Sequence, residues 1–83
     1  MKMLYFAWVR ERIGREQEEI ALPSNVTTTT ALIDWLKTRG PEYAYALAEP
    51  AAVRIAVDRV HAPRDASIAG AHEVAIFPPM TGG

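Results

Sequence analysis

The reactive group that stands out in this sequence lies at its C-terminal end, in the segment FPPMTGG. The carboxylate of Gly83 would be ionised at neutral pH and unreactive towards nucleophiles until a partner activates it, for example as an acyl-adenylate. Gly82 and Gly83 carry no side chains, so they can pass through a narrow channel and leave the terminal carbonyl accessible. The chemistry predicted here is acyl transfer at the end of the chain.

The residues before the two glycines predict how that group is presented. Pro78 and Pro79 favour extended backbone and cannot donate hydrogen bonds to a sheet. We therefore expect the sheet to end at Phe77 and residues 78–83 to form an extended, flexible tail that spans roughly 20 Å. A frayed end with chance glycines is the alternative.

The rest of the sequence shows no catalytic or metal-binding motif. His61 and His72 are the two histidines, and neither has a second ligand at the spacing of a metal site. No serine lies in a G-x-S-x-G context, and no glycine-rich phosphate-binding loop is present. Cysteine is absent. We expect no metal site, no bound cofactor and no catalytic centre within the domain.

Length and composition limit the classes of protein that fit. The 83 residues suit one domain, with 49% hydrophobic residues and a net charge of −1. This charge argues against a nucleic-acid partner, and no apolar run approaches the ~20 residues that span a bilayer. The N-terminal segment lacks the cleavage site of a signal peptide. A small protein without cysteine suits the cytoplasm, which is the expected location.

Two strands are predicted in the N-terminal quarter of the chain. The segment KMLYFAWVR is rich in aromatic and β-branched residues, which predicts a strand over about residues 2–10. Gly14 marks a turn, and EEIALP predicts a second strand that ends at Pro23. The short polar connection between them predicts a hairpin.

A main helix and a short helix are predicted next. In SNVTTTTALIDWLKTRGP a threonine from residues 27–30 is the expected N-cap. The apolar stripe of this helix consists of Leu32, Trp35 and Leu36. Gly40 is expected in the left-handed conformation after the helix, and Pro41 at the first position of a short helix that ends before Pro50.

The C-terminal half predicts three strands and completes the fold. Alternating apolar residues indicate strands at 53–57 and in HEVAIFPP, with a short strand at Val60 and His61 between them. The element order predicts an α+β domain. A mixed sheet packed on one main helix, with a short second helix, resembles the β-grasp fold of ubiquitin-like proteins. We expect residues 1–77 to form this domain.

An apolar patch is predicted on the open face of the sheet. Both faces of the first predicted strand are apolar, although the helix can cover only one of them. If the first and last strands are neighbours, the open face carries Leu4, Phe6, Trp8 and Phe77. Such a patch is typical of a partner-binding surface, with scattered surface hydrophobic residues as the alternative.

The two ends of the chain resemble one protein family. EVAIFPPMTGG resembles the C-terminal signature of the small subunit of molybdopterin synthase, a ubiquitin-like sulfur carrier. FAWVRERIG resembles the first strand and turn of the same family, and the chain length and element order agree from end to end. Carriers of the thiazole pathway share the terminal Gly-Gly but usually lack the Phe-Pro-Pro element.

The resemblance implies a mechanism and a set of partners. An ATP-dependent adenylyltransferase of the ubiquitin-activating type would adenylate Gly83, and a persulfide on a sulfur donor protein would convert it into a thiocarboxylate. The tail would then enter the large synthase subunit, where sulfur passes to cyclic pyranopterin monophosphate to form molybdopterin. The implied assembly is a heterotetramer of two small and two large chains. ATP would be used by the activating enzyme, and the catalytic groups would lie on the large subunit.

The family's functional residues map onto this sequence one by one. Gly83 would carry the sulfur, and Gly82 would thread the channel. Phe6 and Phe77 would pack on the partners, and Arg10 matches a family arginine expected at the interface. The other expected partner-binding residues are Leu4, Trp8, Pro78, Pro79, Met80 and Thr81.

Three functions stay open from the residues. They are the molybdopterin synthase sulfur carrier, a carrier for another product such as thiamin thiazole, a thionucleoside or an amino acid, and a ubiquitin-like modifier or interaction domain. The Phe-Pro-Pro element favours the first over the second. His61 stands where the family often has Leu or Tyr facing the partner, so this position departs from the pattern.

Overall fold

The computed structural model describes residues 1–79 of the chain. Within those residues the strands are β1 (Lys2–Tyr5), β2 (Gln17–Glu19), β3 (Arg54–Val57), β4 (Val60–Ala62) and β5 (Glu73–Phe77). The α-helices are α1 (Ala7–Ile13), α2 (Thr29–Lys37) and α3 (Pro41–Ala46), and a 3-10 turn spans Pro50–Ala52. These elements confirm the predicted α+β class, with one helix more than the sequence predicted.

The five strands form one mixed sheet in the order β2-β1-β5-β3-β4. The central pair, β1 and β5, is parallel, and the other neighbouring pairs are antiparallel. Helices pack on the inner face, where the central pair contributes four side chains with no exposed surface: Met3, Tyr5, Val74 and Ile76. Parallel strands are usually buried, and β1 and β5 are buried on the side that the helices cover.

The segment predicted as the end of a long first strand is a helix. β1 ends at Tyr5, Phe6 keeps an extended backbone, and Ala7 has a φ of 52°, which ends the strand. α1 then buries Val9 and Ile13, which lie four residues apart on one helical face. Aromatic and β-branched residues favour strands, but packing on the core decides the structure of this seven-residue helix.

This helix also changes the connection between the first two strands. β1 and β2 pair in antiparallel register as predicted, but α1 lies between them, so they are not joined by a short hairpin loop. Gly14 ends α1 with a φ of 86°, and its N–H donates to the carbonyl of Arg10 at 2.8 Å. β2 ends at Glu19 and not at Pro23, although Ile20 is buried.

The predicted start of α2 is confirmed, and the predicted conformation of Gly40 is wrong. Thr28 caps α2, because its hydroxyl oxygen accepts from the N–H of Ala31 at 3.2 Å. Gly40 has a φ of 164°, which is ordinary extended backbone, and it precedes α3 as its N-cap. Pro41 occupies the first position of α3 as predicted, because the N–H that proline lacks has no helical partner there.

A buried carboxylate ties β2 to the rest of the domain. Oε2 of Glu18 accepts from the hydroxyl of Tyr5 at 2.7 Å and from that of Tyr43 at 2.6 Å. Its Oε1 lies 3.0 Å from Nη1 of Arg39, and the Glu18 side chain is only 6% exposed. The edge strand β2, the central strand β1, α3 and the segment that follows α2 therefore meet at one polar cluster.

The cluster shifts the pKa of each buried member. Burial alone would raise the pKa of Glu18, but hydrogen bonds from Tyr43, Tyr5 and Arg39 more than offset it, so this pKa lies below its ordinary value of 4.5. Burial, followed by the hydrogen bond to Glu18, raises the pKa of Tyr5. Because the folded-state pKa of Glu18 is lowered, its contribution to stability is present above pH 4.5 and is lost as the pH falls through the folded-state value.

Trp8 lies in the helical layer and not on the sheet. Its side chain is half-buried and packs against the core. Cζ of Arg12 lies 4.5 Å from the centroid of the Trp8 ring and 4.6 Å from that of Tyr45 on α3. The guanidinium is therefore stacked between two aromatic rings and links α1 to α3. The prediction that Trp8 shares a strand face with Phe6 is wrong, because the strand ends between them.

Removal of the buried carboxylate should destabilise the fold. In Glu18→Ala the hydroxyls of Tyr5 and Tyr43 lose their acceptor, and we expect the free energy of unfolding to fall by about 2–5 kcal/mol in urea denaturation at pH 7. The exposed Glu16→Ala is the matched control and should change it by less than about 0.5 kcal/mol. The difference between parent and Glu18→Ala should shrink below pH 4.5. Equal stability of the two variants at pH 7 would contradict this role.

Two neighbouring aromatic residues should differ in their effect on stability. Trp8→Ala removes a side chain that packs on the core and stacks with Arg12, so it should cost about 1–3 kcal/mol of unfolding free energy. Phe6 is 46% exposed, and Phe6→Ala should cost less than about 1 kcal/mol. Urea denaturation of both variants gives the comparison. A larger loss in Phe6→Ala would show that the placement of these rings is wrong.

Candidate partner-binding surface

The register of the sheet places a set of apolar side chains on its outer face. Leu4 lies opposite Ala75, and Ala75 lies opposite Ala56 on its other side. These residues are half-buried, and directly opposed residues share one face of the sheet. With Phe6 and Phe77 they make the outer patch, defined by Leu4, Phe6, Ala56, Ala75 and Phe77. Because no helix covers this face within residues 1–79, the patch is open to a partner.

Phe6 is held beside β5 although it lies after the end of β1. Its N–H donates to the carbonyl of Ile76 at 3.1 Å, which extends the parallel ladder by one step. Its own carbonyl accepts from the N–H of Val9 at 3.1 Å, so Phe6 also begins α1. Side chains alternate along a strand, so this residue faces outward beside Phe77. The backbone of Phe6 is therefore fixed while its ring stays exposed.

Phe77 joins the outer patch to the tail. It is the last residue of β5, as predicted, and it is half-buried. The ring of His61 from β4 lies with its centroid 6.2 Å from that of Phe77. Pro78 and Pro79 follow and are half-buried, and Met80, Thr81, Gly82 and Gly83 lie outside the described residues. The predicted roles of those four residues stay predictions.

Three of the four residues predicted for the patch come together on the outer face. Leu4, Phe6 and Phe77 lie there, whereas Trp8 lies on the flank of α1 that faces α3. Arg10 follows Trp8 by two residues, or about 200° around the helix, so it is exposed on a different flank. Ala56 and Ala75 of the patch and the neighbouring Arg54 were not predicted as site residues from the sequence. They alternate with buried residues along β3 and β5, and this alternation is the signal that could have indicated them.

The turn between β3 and β4 holds the start of β5 in place. Oδ1 of Asp58 accepts from the backbone N–H groups of His72 at 2.8 Å and Glu73 at 2.9 Å. These two hydrogen bonds lower the pKa of the Asp58 carboxyl. Asp58 and Arg59 have φ values of 49° and 70°, as a two-residue turn with both central residues left-handed requires. The strand that leads to the tail is thus fixed at its beginning as well as along its ladder.

A groove of about 620 Å³ lies beside the patch, between the first turn of α2 and strands β3 and β4. Arg54 and Arg64 line it together with Asp34 and Glu49, so the groove carries charges of both signs. Within residues 1–79, no group of three or more histidine or acidic side chains is arranged to hold a metal ion. None of the helices in that part of the chain has the length and apolar character needed to cross a membrane.

Known structures resemble this one in fold. The crystal structure of SAMP1 from Haloferax volcanii superimposes with a TM-score of 0.72 over 100% of this chain and 98% of that one, at 22% sequence identity. At this level of identity the likeness concerns the fold alone. It confirms the predicted β-grasp arrangement of a ubiquitin-like domain.

Sequence comparison identifies relatives with higher sequence identity than this structural neighbour. The molybdopterin synthase sulfur carrier subunit of Escherichia coli is 35% identical over 83 residues, covering 100% of this chain and 99% of the relative. The protein of the same name from Haemophilus influenzae is 32% identical over 83 residues with the same coverage. Residues 3–83 match the ThiS family, a range that includes the outer patch and the tail. The chain therefore belongs to the ThiS family.

Proposed function

We propose that this chain is the sulfur carrier subunit of a molybdopterin synthase. In this role Gly83 is adenylated, converted into a thiocarboxylate and used to deliver sulfur to cyclic pyranopterin monophosphate in the large subunit, which forms molybdopterin. The observation that carries the proposal is the match, at 32% and 35% identity over 83 residues, to proteins of that name. Membership of the ThiS family does not by itself identify the molecule that accepts the sulfur. The names of these relatives favour the precursor of molybdopterin as that acceptor.

The position of Phe77 supports this role. It ends the sheet and also belongs to the outer patch, so a protein that covers the patch lies next to the first residues of the tail. Antiparallel pairing with β3 and parallel pairing with β1 hold Phe77 and its strand on both sides. A rigid base of this kind would limit the directions in which a partner meets the tail.

The energetics of the patch call for a contribution from the tail. Burying Leu4, Phe6 and Phe77 in an interface contributes roughly 1.5–3 kcal/mol for each side chain, or about 5–9 kcal/mol together. Association costs an estimated 4–15 kcal/mol in lost freedom of motion and ordering. The patch by itself gives weak binding at best, so a partner that also holds the tail has a large advantage over one that does not.

The chemistry proposed for Gly83 explains why partners are needed. A carboxylate resists nucleophiles, and adenylation by an ATP-dependent adenylyltransferase supplies AMP as a leaving group. The outer sulfur of a persulfide then displaces AMP at the acyl carbon and forms an acyl disulfide with the donor protein. A second thiol attacks the donor's sulfur of this disulfide, is itself oxidised to a disulfide with the donor, and releases the thiocarboxylate. Since the chain has no cysteine, a separate sulfur donor protein must provide that sulfur. The chain acts as a co-substrate, with the catalytic groups on the large subunit.

The proposal includes an assembly and a location. Two carriers and two large subunits would form the heterotetramer, and each carrier would visit the adenylyltransferase before it returns to the large subunit. We place these steps in the cytoplasm, where ATP is available to the adenylyltransferase. This protein itself would bind no cofactor.

The carrier chemistry predicts a change in mass. After incubation with the adenylyltransferase, ATP, a persulfide donor and a thiol reductant, the intact protein should be heavier by the difference between one sulfur and one oxygen atom. Fragmentation should locate the change to Gly83, because only the terminal carboxylate exchanges oxygen for sulfur in this mechanism. Intact-mass spectrometry measures both.

The matched control is the same chain without Gly83. It retains a glycine carboxylate at its end but is shorter by one residue, so the adenylyltransferase should not place it correctly and the sulfur-containing species should be absent. A parent protein that gains no sulfur, or a truncated chain that gains it equally well, would contradict the carrier mechanism.

A further inference from the structure

Arg54 is a cation at the border of the outer patch. In register it lies opposite Phe77, so it flanks the point at which the tail begins. Its Nη1 donates hydrogen bonds to the carbonyls of Ala51 and Val53, each at 3.1 Å. These two bonds hold the guanidinium beside the sheet while the residue stays exposed. Its Nε and Nη2 donors form no hydrogen bond within residues 1–79.

The charge of Arg54 is not compensated on the outer face. Within residues 1–79, this arginine forms no ion pair. Lys2, another cation of the same face, differs because it lies opposite Glu19 on one side and Glu73 on the other. Arg54 instead lies opposite an aromatic residue. A partner that covers the outer patch therefore approaches a guanidinium that forms no ion pair within residues 1–79, although Asp34 and Glu49 line the same groove as Arg54.

We propose that Arg54 pairs with a carboxylate of the large synthase subunit, at the rim of the interface beside the entrance for the tail. This inference rests on the proposed function and names the chemistry of the partner surface. A guanidinium offers N–H donors in one plane and binds a carboxylate through two parallel hydrogen bonds. Covering it with apolar atoms alone would remove water from a charge without replacement, which is strongly unfavourable.

The position of this pair gives it a role in orientation. Apolar burial is not directional, so the outer patch allows several rotations of the partner about the sheet normal. One ion pair on the β3 side of Phe77 would favour a single rotation, in which the tail points towards the site of sulfur transfer. Charges at an interface rim act mainly on the association rate and on specificity, and that is the effect expected here.

A purely structural role for Arg54 makes different predictions. If its function is only to hold the carbonyls of Ala51 and Val53, its loss would lower the free energy of unfolding and leave the salt dependence of binding unchanged. The two roles can therefore be separated by measuring stability and binding on the same variants.

The test is surface plasmon resonance of the full chain on the immobilised large subunit from the same organism, at ionic strengths of about 0.05 M and about 0.5 M. The variants are Arg54→Glu, Arg54→Met and Arg54→Lys. Arg12→Met is the matched control, because it removes one positive charge from the helical layer. Phe77→Ala tests the outer patch itself, and urea denaturation is recorded for every variant.

At low ionic strength we expect Arg54→Glu to lower the association rate roughly tenfold and Arg54→Met roughly threefold, with both differences reduced at high ionic strength. Arg54→Lys should keep most of the rate, and Arg12→Met should stay within about twofold of the parent. If Arg54→Glu binds like the parent at both ionic strengths, or Arg12→Met matches Arg54→Met, the inference is wrong while the proposed function stands. A parent that does not bind the large subunit, or Phe77→Ala that binds equally well, would overturn the proposed interface as a whole.

Discussion

The parallel pairing of β1 with β5 is the contact on which the rest of the structure depends. The inner side chains of this pair, which have no exposed surface, are Met3, Tyr5, Val74 and Ile76. Because side chains alternate along each strand, burying these four fixes Leu4, Phe6 and Phe77 on the opposite face. A slip of one residue would exchange the two faces and bury the wrong set. The core therefore determines both the outer patch and the point at which the tail leaves the sheet.

Prediction from the sequence succeeded where local preference and packing agree. The cap at Thr28 and the end of the sheet at Phe77 follow from residue chemistry that the fold does not oppose. α1 was not predictable in the same way, because its aromatic and β-branched residues favour a strand and its helical form depends on packing Val9 and Ile13 against the core. The position of Arg54 required the strand register, which residue types alone do not determine.

Family membership and geometry address different parts of the function. The relatives are sulfur carrier subunits of molybdopterin synthase by name. Their names bear on the terminal glycine and on the sulfur that it would carry. The structure concerns how partners recognise the domain. It has an apolar face at the base of the tail, bordered by Arg54, which forms no ion pair within residues 1–79. The edge strand of the domain is held by the buried Glu18. In this account the folded domain provides orientation and specificity, and the reactive group is carried entirely by the last residue.

The most direct test of the central claim is deletion of the gene for this chain in its own organism, with molybdoenzyme activity as the readout. The account predicts that activity is lost, that the full chain expressed from a plasmid restores it, and that the chain without Gly83 does not. Normal molybdoenzyme activity in the deletion strain, or a requirement for thiamin in its place, would contradict the assignment to molybdopterin synthesis.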